Sequence, residues 1–252
     1  MNLLEHKKGT PINTFIVPFL HHDMIEDCVN SIWKHCNPEQ HRLIVVDNSC
    51  EEGMYEKIHD KCHLYIKSYR NLGCTKSWNI GPALSHTKYL TIIGDDTQII
   101  HEKWWPEVQE EMEKNDYNMI FCHPCHLTEP YKKEGKYTAP EFTDEMWEEA
   151  KQKSGDMVGR YNAIVMKREF VNTLGYEDEL GHFLFNEDLY PCHIVDRDTW
   201  ARTNELGIER IGLHLPVWHI RGVTCQRGIK KIHDVGPTVI GVELCPKVRR
   251  HL

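Results

Sequence analysis

Short apolar runs alternate with amphipathic stretches through the first hundred residues. Ile12 to Val17 is a β-rich run that Pro18 should stop, and Asp23 to Cys36 then places Ile25, Cys28, Val29, Ile32, Trp33 and Cys36 at helical spacing. Arg42 to Val46 reads as a buried strand ending in Asp47-Asn48-Ser49, followed by a helical pattern over Met54 to Lys61. Leu64 to Ile66 is a further strand leading to Arg70-Asn71-Leu72-Gly73, and Thr75 to Ser85 is expected to be helical. Tyr89 to Ile93 then runs straight into Gly94-Asp95-Asp96-Thr97. Strands alternating with helices predict crossover units and an α/β fold with a mainly parallel central sheet flanked by helices.

The second half is less regular. Asn118 to Cys122 and Val158 to Met166 have strand character, Thr128 to Pro140 is a polar loop, and Glu141 to Lys153 is an acidic helix with Trp147 on one face. A short helix is expected at Arg168 to Leu174 and a longer one over Glu187 to Leu206, with Pro191 suited to its first turn. Ile208 to Trp218 reads as a last strand, and a tail of short pieces comes after it.

The 252 residues can bury one substantial core, and no repeat or low-complexity segment divides them. With 38 acidic against 30 basic side chains the formal charge is −8, which excludes a global cationic field for gathering nucleic acid or anionic membrane. Lys132-Lys133, Lys230-Lys231 and Arg249-Arg250 are short basic pairs of the kind found on solvated surfaces. Ten scattered cysteines and an amino terminus without a signal-peptide pattern point to the cytoplasm. No apolar stretch approaches the roughly 20 residues needed to span a bilayer.

In an open parallel sheet, ligands gather outside the carboxyl ends of the strands. Asp47 follows one strand, Arg70 and Asn71 another, and Asp95 with Asp96 a third, so three separated segments are expected to converge on one crevice. Adjacent carboxylates repel, and a hard divalent cation shared with substrate phosphate oxygens removes the repulsion. The ligand so implied is a metal-bound phosphate ester. Read alone, the Asp95-Asp96 pair could instead be a polar turn capping a following helix. Cys122-His123-Pro124-Cys125-His126 invites a zinc reading but lacks a second ligand pair at matching spacing, which favours a strand end with incidental thiols and leaves metal binding there open.

The ordered set of these segments resembles the family 2 glycosyltransferases, which have the A-type nucleotide-sugar-binding fold. The resemblance runs from about Ile12 to His219 and rests on the opening strand with Pro18, Asp47-Asn48-Ser49, Arg70-Asn71-Leu72-Gly73 with Asn79-Ile80-Gly81, and the strand ending in Gly94-Asp95-Asp96-Thr97. Gly175-Tyr176-Glu177-Asp178-Glu179 and Phe183-Leu184-Phe185-Asn186-Glu187-Asp188 resemble the family's acceptor-side segment. It implies one catalytic domain over 1–232, a Rossmann-like nucleotide-sugar half at about 10–100 and an acceptor half at about 101–232, with a tail over 233–252 packed on the domain or flexible.

The resemblance also implies roles. Asp47 would accept a hydrogen bond from the base or ribose, and Arg70 with Asn71 would lie near the nucleotide. Asp96 would bind Mn²⁺ or Mg²⁺ bridging the diphosphate, with Asp95 supporting it or contacting ribose. His219, in Pro216-Val217-Trp218-His219, matches a position that often completes the metal site, and an imidazole among oxygen ligands suits Mn²⁺. Asp188 would be the base of an inverting transfer, with Glu187 orienting it or binding acceptor hydroxyls. Arg221, Arg227 and Lys230 could close over the diphosphate.

The expected activity is metal-dependent, inverting transfer of a single sugar from a nucleoside diphosphate sugar, a UDP-sugar foremost. The acceptor would be a glycan, a small molecule or modified nucleic acid. The alternatives are a phage-type transferase acting on hydroxymethylated bases, a nucleotide-sugar-binding module without catalysis, and a polymerase palm, against which the preceding crossovers argue. Cys74-Thr75-Lys76-Ser77-Trp78 departs from the small residues usual after the family's Asn-Leu-Gly, so base and sugar preference do not carry over. The motif and membrane helices of processive synthases are absent from the sequence.

Overall fold

Seven residues, Asn13–Phe19, form strand β1, around which the sheet is arranged. The computed structural model describes residues 11–20, 22–49, 52–69, 71–124, 138–153, 163–174, 176–178, 181–183, 202–207 and 211–219. After β1 come helix α1 (His22–His35), β2 (His41–Asp47), α2 (Tyr55–Ile58) with a 3₁₀ turn at His59–Lys61, β3 (Leu64–Lys67), α3 (Gly73–Leu84) and β4 (Tyr89–Ile93). β2 pairs parallel with β1 from Asn13↔His41 to Phe19↔Asp47, β3 lies outside β2, and β4 lies on the other side of β1. The winding therefore reverses at β1, which puts the ligand crevice of such a sheet at the carboxyl ends of β1 and β4.

The rest of the chain extends the sheet. β5 (Thr97–Gln98) precedes α4 (Trp104–Lys114), β6 (Met119–Pro124), α5 (Asp144–Lys153), β7 (Ala163–Lys167) and α6 (Arg168–Leu174). β8 (Tyr176–Asp178) and β9 (Gly181–Phe183) form a separate hairpin, and β10 (Ile211–His219) completes the eight-stranded order β3-β2-β1-β4-β7-β6-β10-β5. β7 is antiparallel to both β4 and β6, and β5 is antiparallel to β10, so the sheet is mixed rather than uniformly parallel.

Both faces of the sheet are covered, which is why its strands read as unbroken apolar runs. Side chains alternate between two cores. Phe15, Val17, Tyr89, Ile93, Ile120, Cys122 and Val165 face α1, α4 and α5, where Ile25, Val29, Trp104, Val108 and Trp147 complete one cluster. Ile16, Leu90, Ile92, Phe121, Ile164 and Met166 face the other way and meet Phe170, Val171 and Leu174 of α6. On that side α3 approaches β1 so closely that a Cβ on Gly81 would lie 2.4–2.5 Å from three atoms of the Ile16 side chain. Trp147 is anchored across the helical layer by its indole N–H donating to Glu107 at 3.0 Å.

The strand does not stop at Pro18, and the reason is local. Pairing between β1 and β4 ends at Ile16↔Ile92, whereas pairing with β2 continues to Phe19. The Phe19 carbonyl accepts from Asn48 N–H on the β2 side, and Leu20 N–H turns to Asp95 on the β4 side. Alternation puts Pro18 on Leu20's side, past the last β4 partner, so its missing N–H interrupts no ladder. α3 also begins two residues earlier than its pattern suggests, at Gly73, whose φ of 77° lies in the left-handed region that glycine tolerates. Of the helix expected over Glu187 to Leu206, only 202–206 falls within the described residues, and 202–205 is helical there.

Candidate functional site

The turn after β4 is closed by Thr97 N–H donating to the Gly94 carbonyl at 3.1 Å. The chain then enters β5, and α4 begins only at Trp104 behind Lys103, so the two aspartates cap no helix. Asp95 points inward, is 5 % exposed, and takes Leu20 N–H at 3.4 Å, which ties the turn to the end of β1. Burial, and after it the neighbouring Asp96 carboxylate, push the Asp95 pKa well above the usual carboxylate range. Beneath the turn the buried thiol of Cys28 donates to the Gly94 carbonyl at 3.6 Å.

Asp96 points the other way. Its carboxylate folds back over Gly94, where a Cβ would lie 2.7 Å from Oδ1. The antiparallel pair His219↔Thr97 delivers the end of β10 to the same place, and His219 Nε2 lies 3.3 Å from Asp96 Oδ2. Both side chains keep some exposure, 19 % for the imidazole and 16 % for the carboxylate. Residues 123 positions apart in sequence (219 − 96) thus offer a nitrogen and an oxygen to one point at the crevice.

Among the described residues no three His, Cys, Asp or Glu side chains gather as they would around an ion. Two protein ligands with the remainder from phosphate oxygens and water is nonetheless the usual arrangement for a cation carried with a nucleotide. The pair fits such a shared cation.

On the other flank Asp47 closes β2. It is fully buried; Oδ1 accepts from Ser49 N–H at 2.8 Å and Ser49 O–H at 2.6 Å, and Oδ2 from Tyr65 O–H at 2.6 Å. Burial first, and then that hydrogen bond, raise the Tyr65 phenol, so it remains the donor. Lys67 Nζ stands 3.8 Å from Asp47 Oδ2 and 3.4 Å from Glu52. Asp47 therefore has its acceptors engaged in this structure, and a nucleotide can reach it only by displacing one of these partners.

Between the flanks, Asn48 donates to Ser77 Oγ at 2.6 Å and accepts from Leu72 N–H, fastening the start of α3 to β2. Asn71 accepts Gly73 N–H at 2.9 Å through its side chain, shaping the loop before the helix. The structure thus gathers Asp47, Asn71, Asp95, Asp96 and His219 along one edge of the sheet. Arg70, Glu187 and Asp188 lie outside the described residues, as do Arg221, Arg227 and Lys230. Tyr65 and Lys67 are the additions that sequence reading missed; their two-residue spacing at a strand end signalled a shared face, but not that the face met Asp47. In the cysteine cluster, Cys122 is a buried strand residue whose thiol burial pushes up to about 12, while Cys125 and His126 lie outside the described residues.

The model for glycosyl transferase family 2 matches residues 14–169, more than half of the chain. The chain belongs to glycosyl transferase family 2. As a family 2 member it shares its fold with solved structures of low identity. It is similar to S. aureus TarS 1-349 in complex with UDP, at 16% identity and a TM-score of 0.52, over 75% of this chain and 54% of that one. A mannosyltransferase from Pyrobaculum calidifontis, in complex with GDP-Man and Mn²⁺, aligns at 14% identity and a TM-score of 0.59, over 89% of this chain and 62% of that one. Glucosyl-3-phosphoglycerate synthase from Mycobacterium tuberculosis, in complex with Mn²⁺, UDP and glucosyl-3-phosphoglycerate, aligns at 13% identity and 0.53, over 86% and 75%. The chain thus spans little more than half of the TarS fragment and about three fifths of the mannosyltransferase. No curated protein matches the sequence. These likenesses establish the A-type fold for this family 2 chain. No helix of its described residues is long and apolar enough to cross a membrane.

Proposed function

We propose that this family 2 member transfers a single sugar from a nucleoside diphosphate sugar to an acceptor hydroxyl, with inversion at the anomeric carbon. The observation that carries the reading is the approach of His219 Nε2 to within 3.3 Å of Asp96 Oδ2 at the crevice beside β1 and β4. Asp96 and His219 would hold Mn²⁺ or Mg²⁺. When bound, the cation supplies neutralisation of the charge that develops on the leaving diphosphate. Asp95 keeps Asp96 turned outward by taking the inward place in the turn and holding the end of β1.

Asp188 is the proposed base, with Glu187 beside it, on the resemblance of their segment to the family's acceptor side. The acceptor hydroxyl gives its proton to the Asp188 carboxylate while its oxygen forms the new bond to the anomeric carbon. The bond from that carbon to the diphosphate oxygen breaks, and the electron pair leaves with the diphosphate. Attack from the face opposite the leaving group gives inversion. Asp188→Asn should keep donor affinity and lose a factor of about 10² to 10⁴ in turnover. Near-normal turnover in that variant would remove the base assignment, and retained anomeric configuration of the wild-type product by NMR would remove the single displacement.

A further inference from the structure

β5 is two residues long and lies at the end of the sheet order, yet its pairing with β10 is what brings His219 opposite Asp96. So short a strand makes too few ladder bonds to fix its own place, and the chain around it needs other partners. They come from α1. Cys28 and Ser31 are three positions apart and so share a face of the helix, and they bracket the segment at both ends: the Cys28 thiol donates to the Gly94 carbonyl at 3.6 Å, and Ser31 Oγ accepts Ile99 N–H at 3.0 Å. Ser31 is the one buried polar side chain among the described residues of α1. Its hydroxyl proton is committed to the Cys28 carbonyl at 2.7 Å, which turns a lone pair toward Ile99. Gln98 Oε1 also accepts Ala139 N–H at 2.8 Å, tying β5 to the segment before α5 through a side chain, while α1 holds the backbone at the two ends.

Resting on the proposed cation site, we infer that Ser31 is a positioning residue: through Ile99 and, with Cys28, through Gly94, it holds Asp96 opposite His219 before the cation arrives. A pair already in place binds without the ordering cost that a loose segment incurs on binding. Without the hydroxyl, the N–H of buried Ile99 loses its acceptor, and the segment must shift to find another. The effect reaches the cation, and the nucleotide only through the cation, so contacts made to the nucleotide without metal are spared.

Calorimetry on the full chain with UDP and with GDP, across a Mn²⁺ series and in EDTA, tests this. Ser31→Ala should raise the Mn²⁺ concentration for half-maximal binding about 5-fold or more and leave the affinity in EDTA within about 2-fold of wild type. Ser31→Thr keeps the hydroxyl and should titrate within about 2-fold of wild type. Val108→Ala, in the core under α4, should lower the melting temperature and leave the titration unchanged, so lost stability alone does not imitate the effect. In a His219→Ala background the shift from Ser31→Ala should shrink to about 2-fold or less, because the pair it aligns is gone. A Ser31→Ala titration like that of wild type overturns the inference and leaves the cation site standing. An equal shift in Val108→Ala or Ser31→Thr, or a full shift in the His219→Ala background, also overturns it. Should Ser31→Ala not fold, Cys28→Ala leaves the Gly94 carbonyl to Thr97 N–H and carries the test, with an expected shift of about 3-fold; no shift there overturns the inference. If wild-type binding of neither nucleotide responds to Mn²⁺, the cation site itself fails and the inference with it.

Discussion

Replacing His41 by asparagine isolates a pH dependence that the fold builds in far from the crevice. His41 opens β2 opposite Asn13, is fully buried, and packs edge-on against Trp105 at 4.8 Å and beside Phe15 at 5.3 Å. Asn13 Oδ1 accepts from Thr91 at 3.0 Å, which turns its amide nitrogen toward His41 Nδ1 at 3.3 Å. Nδ1 is then an acceptor, the ring proton sits on Nε2, and a second proton would point at an amide donor. Burial lowers the His41 pKa from 6.5 to about 3. Because the folded value is depressed, the stability is present above pH 6.5 and is lost as pH falls toward the folded value: the unfolded chain takes up a proton that the native chain refuses. Each pH unit in that window costs about 1.4 kcal/mol, so acidification by two units costs about 2.7 kcal/mol from this residue alone. Asparagine keeps an acceptor near Nδ1 and does not titrate. Urea unfolding across this range should show His41→Asn less stable at neutral pH, with a slope against pH shallower than wild type by about 1.4 kcal/mol per unit. Half-buried His35, lowered to about 4 by burial and then by Lys34 and His101, has the same sign and cancels in the comparison. Parallel curves for the two proteins would refute the reasoning.

Gly94→Ala should displace the Asp96 carboxylate, since the new Cβ would sit 2.7 Å from Oδ1, and should weaken Mn²⁺-dependent UDP binding about 10-fold or more in calorimetry with little change in melting temperature. Gly81→Ala drives a methyl into Ile16 and should cost about 1–3 kcal/mol in denaturant unfolding; in the double variant with Ile16→Ala the two losses should sum to less than their separate total. His219→Ala should raise the Mn²⁺ concentration needed for half-maximal nucleotide binding, and an unchanged titration would remove the residue from the proposed metal site.

Much of the sheet was legible because strands buried on both faces are written as continuous apolar runs, and Tyr89–Ile93 matches its expected bounds residue for residue. Their neighbours were not legible. Burial says that Ala163–Lys167 is a strand, but nothing in its pattern says that it lies antiparallel between β4 and β6. Pro18 looked like a terminator because its effect depends on which side of β1 still has a partner. In the site, the Asp95-Asp96 turn announced itself through two carboxylates at a strand end. The approach of His219 was suggested only by family position, since β5 is two residues long and carries no pattern of its own. The engagement of Asp47 by Tyr65 and Lys67 depends on the register between β2 and β3, which is set by packing across the whole sheet rather than by these residues.

Calorimetric titration of UDP, and of GDP in parallel, into wild type and Asp96→Ala, each with Mn²⁺ and with EDTA, addresses the proposed chemistry most directly. Wild type should bind at least one of the two nucleotides with an affinity that falls at least about 10-fold in EDTA. Asp96→Ala, still folded by circular dichroism, should show the weak affinity whether or not the metal is present. Equal affinity in all four conditions would contradict the assignment of Asp96 and His219 to a nucleotide-bound cation.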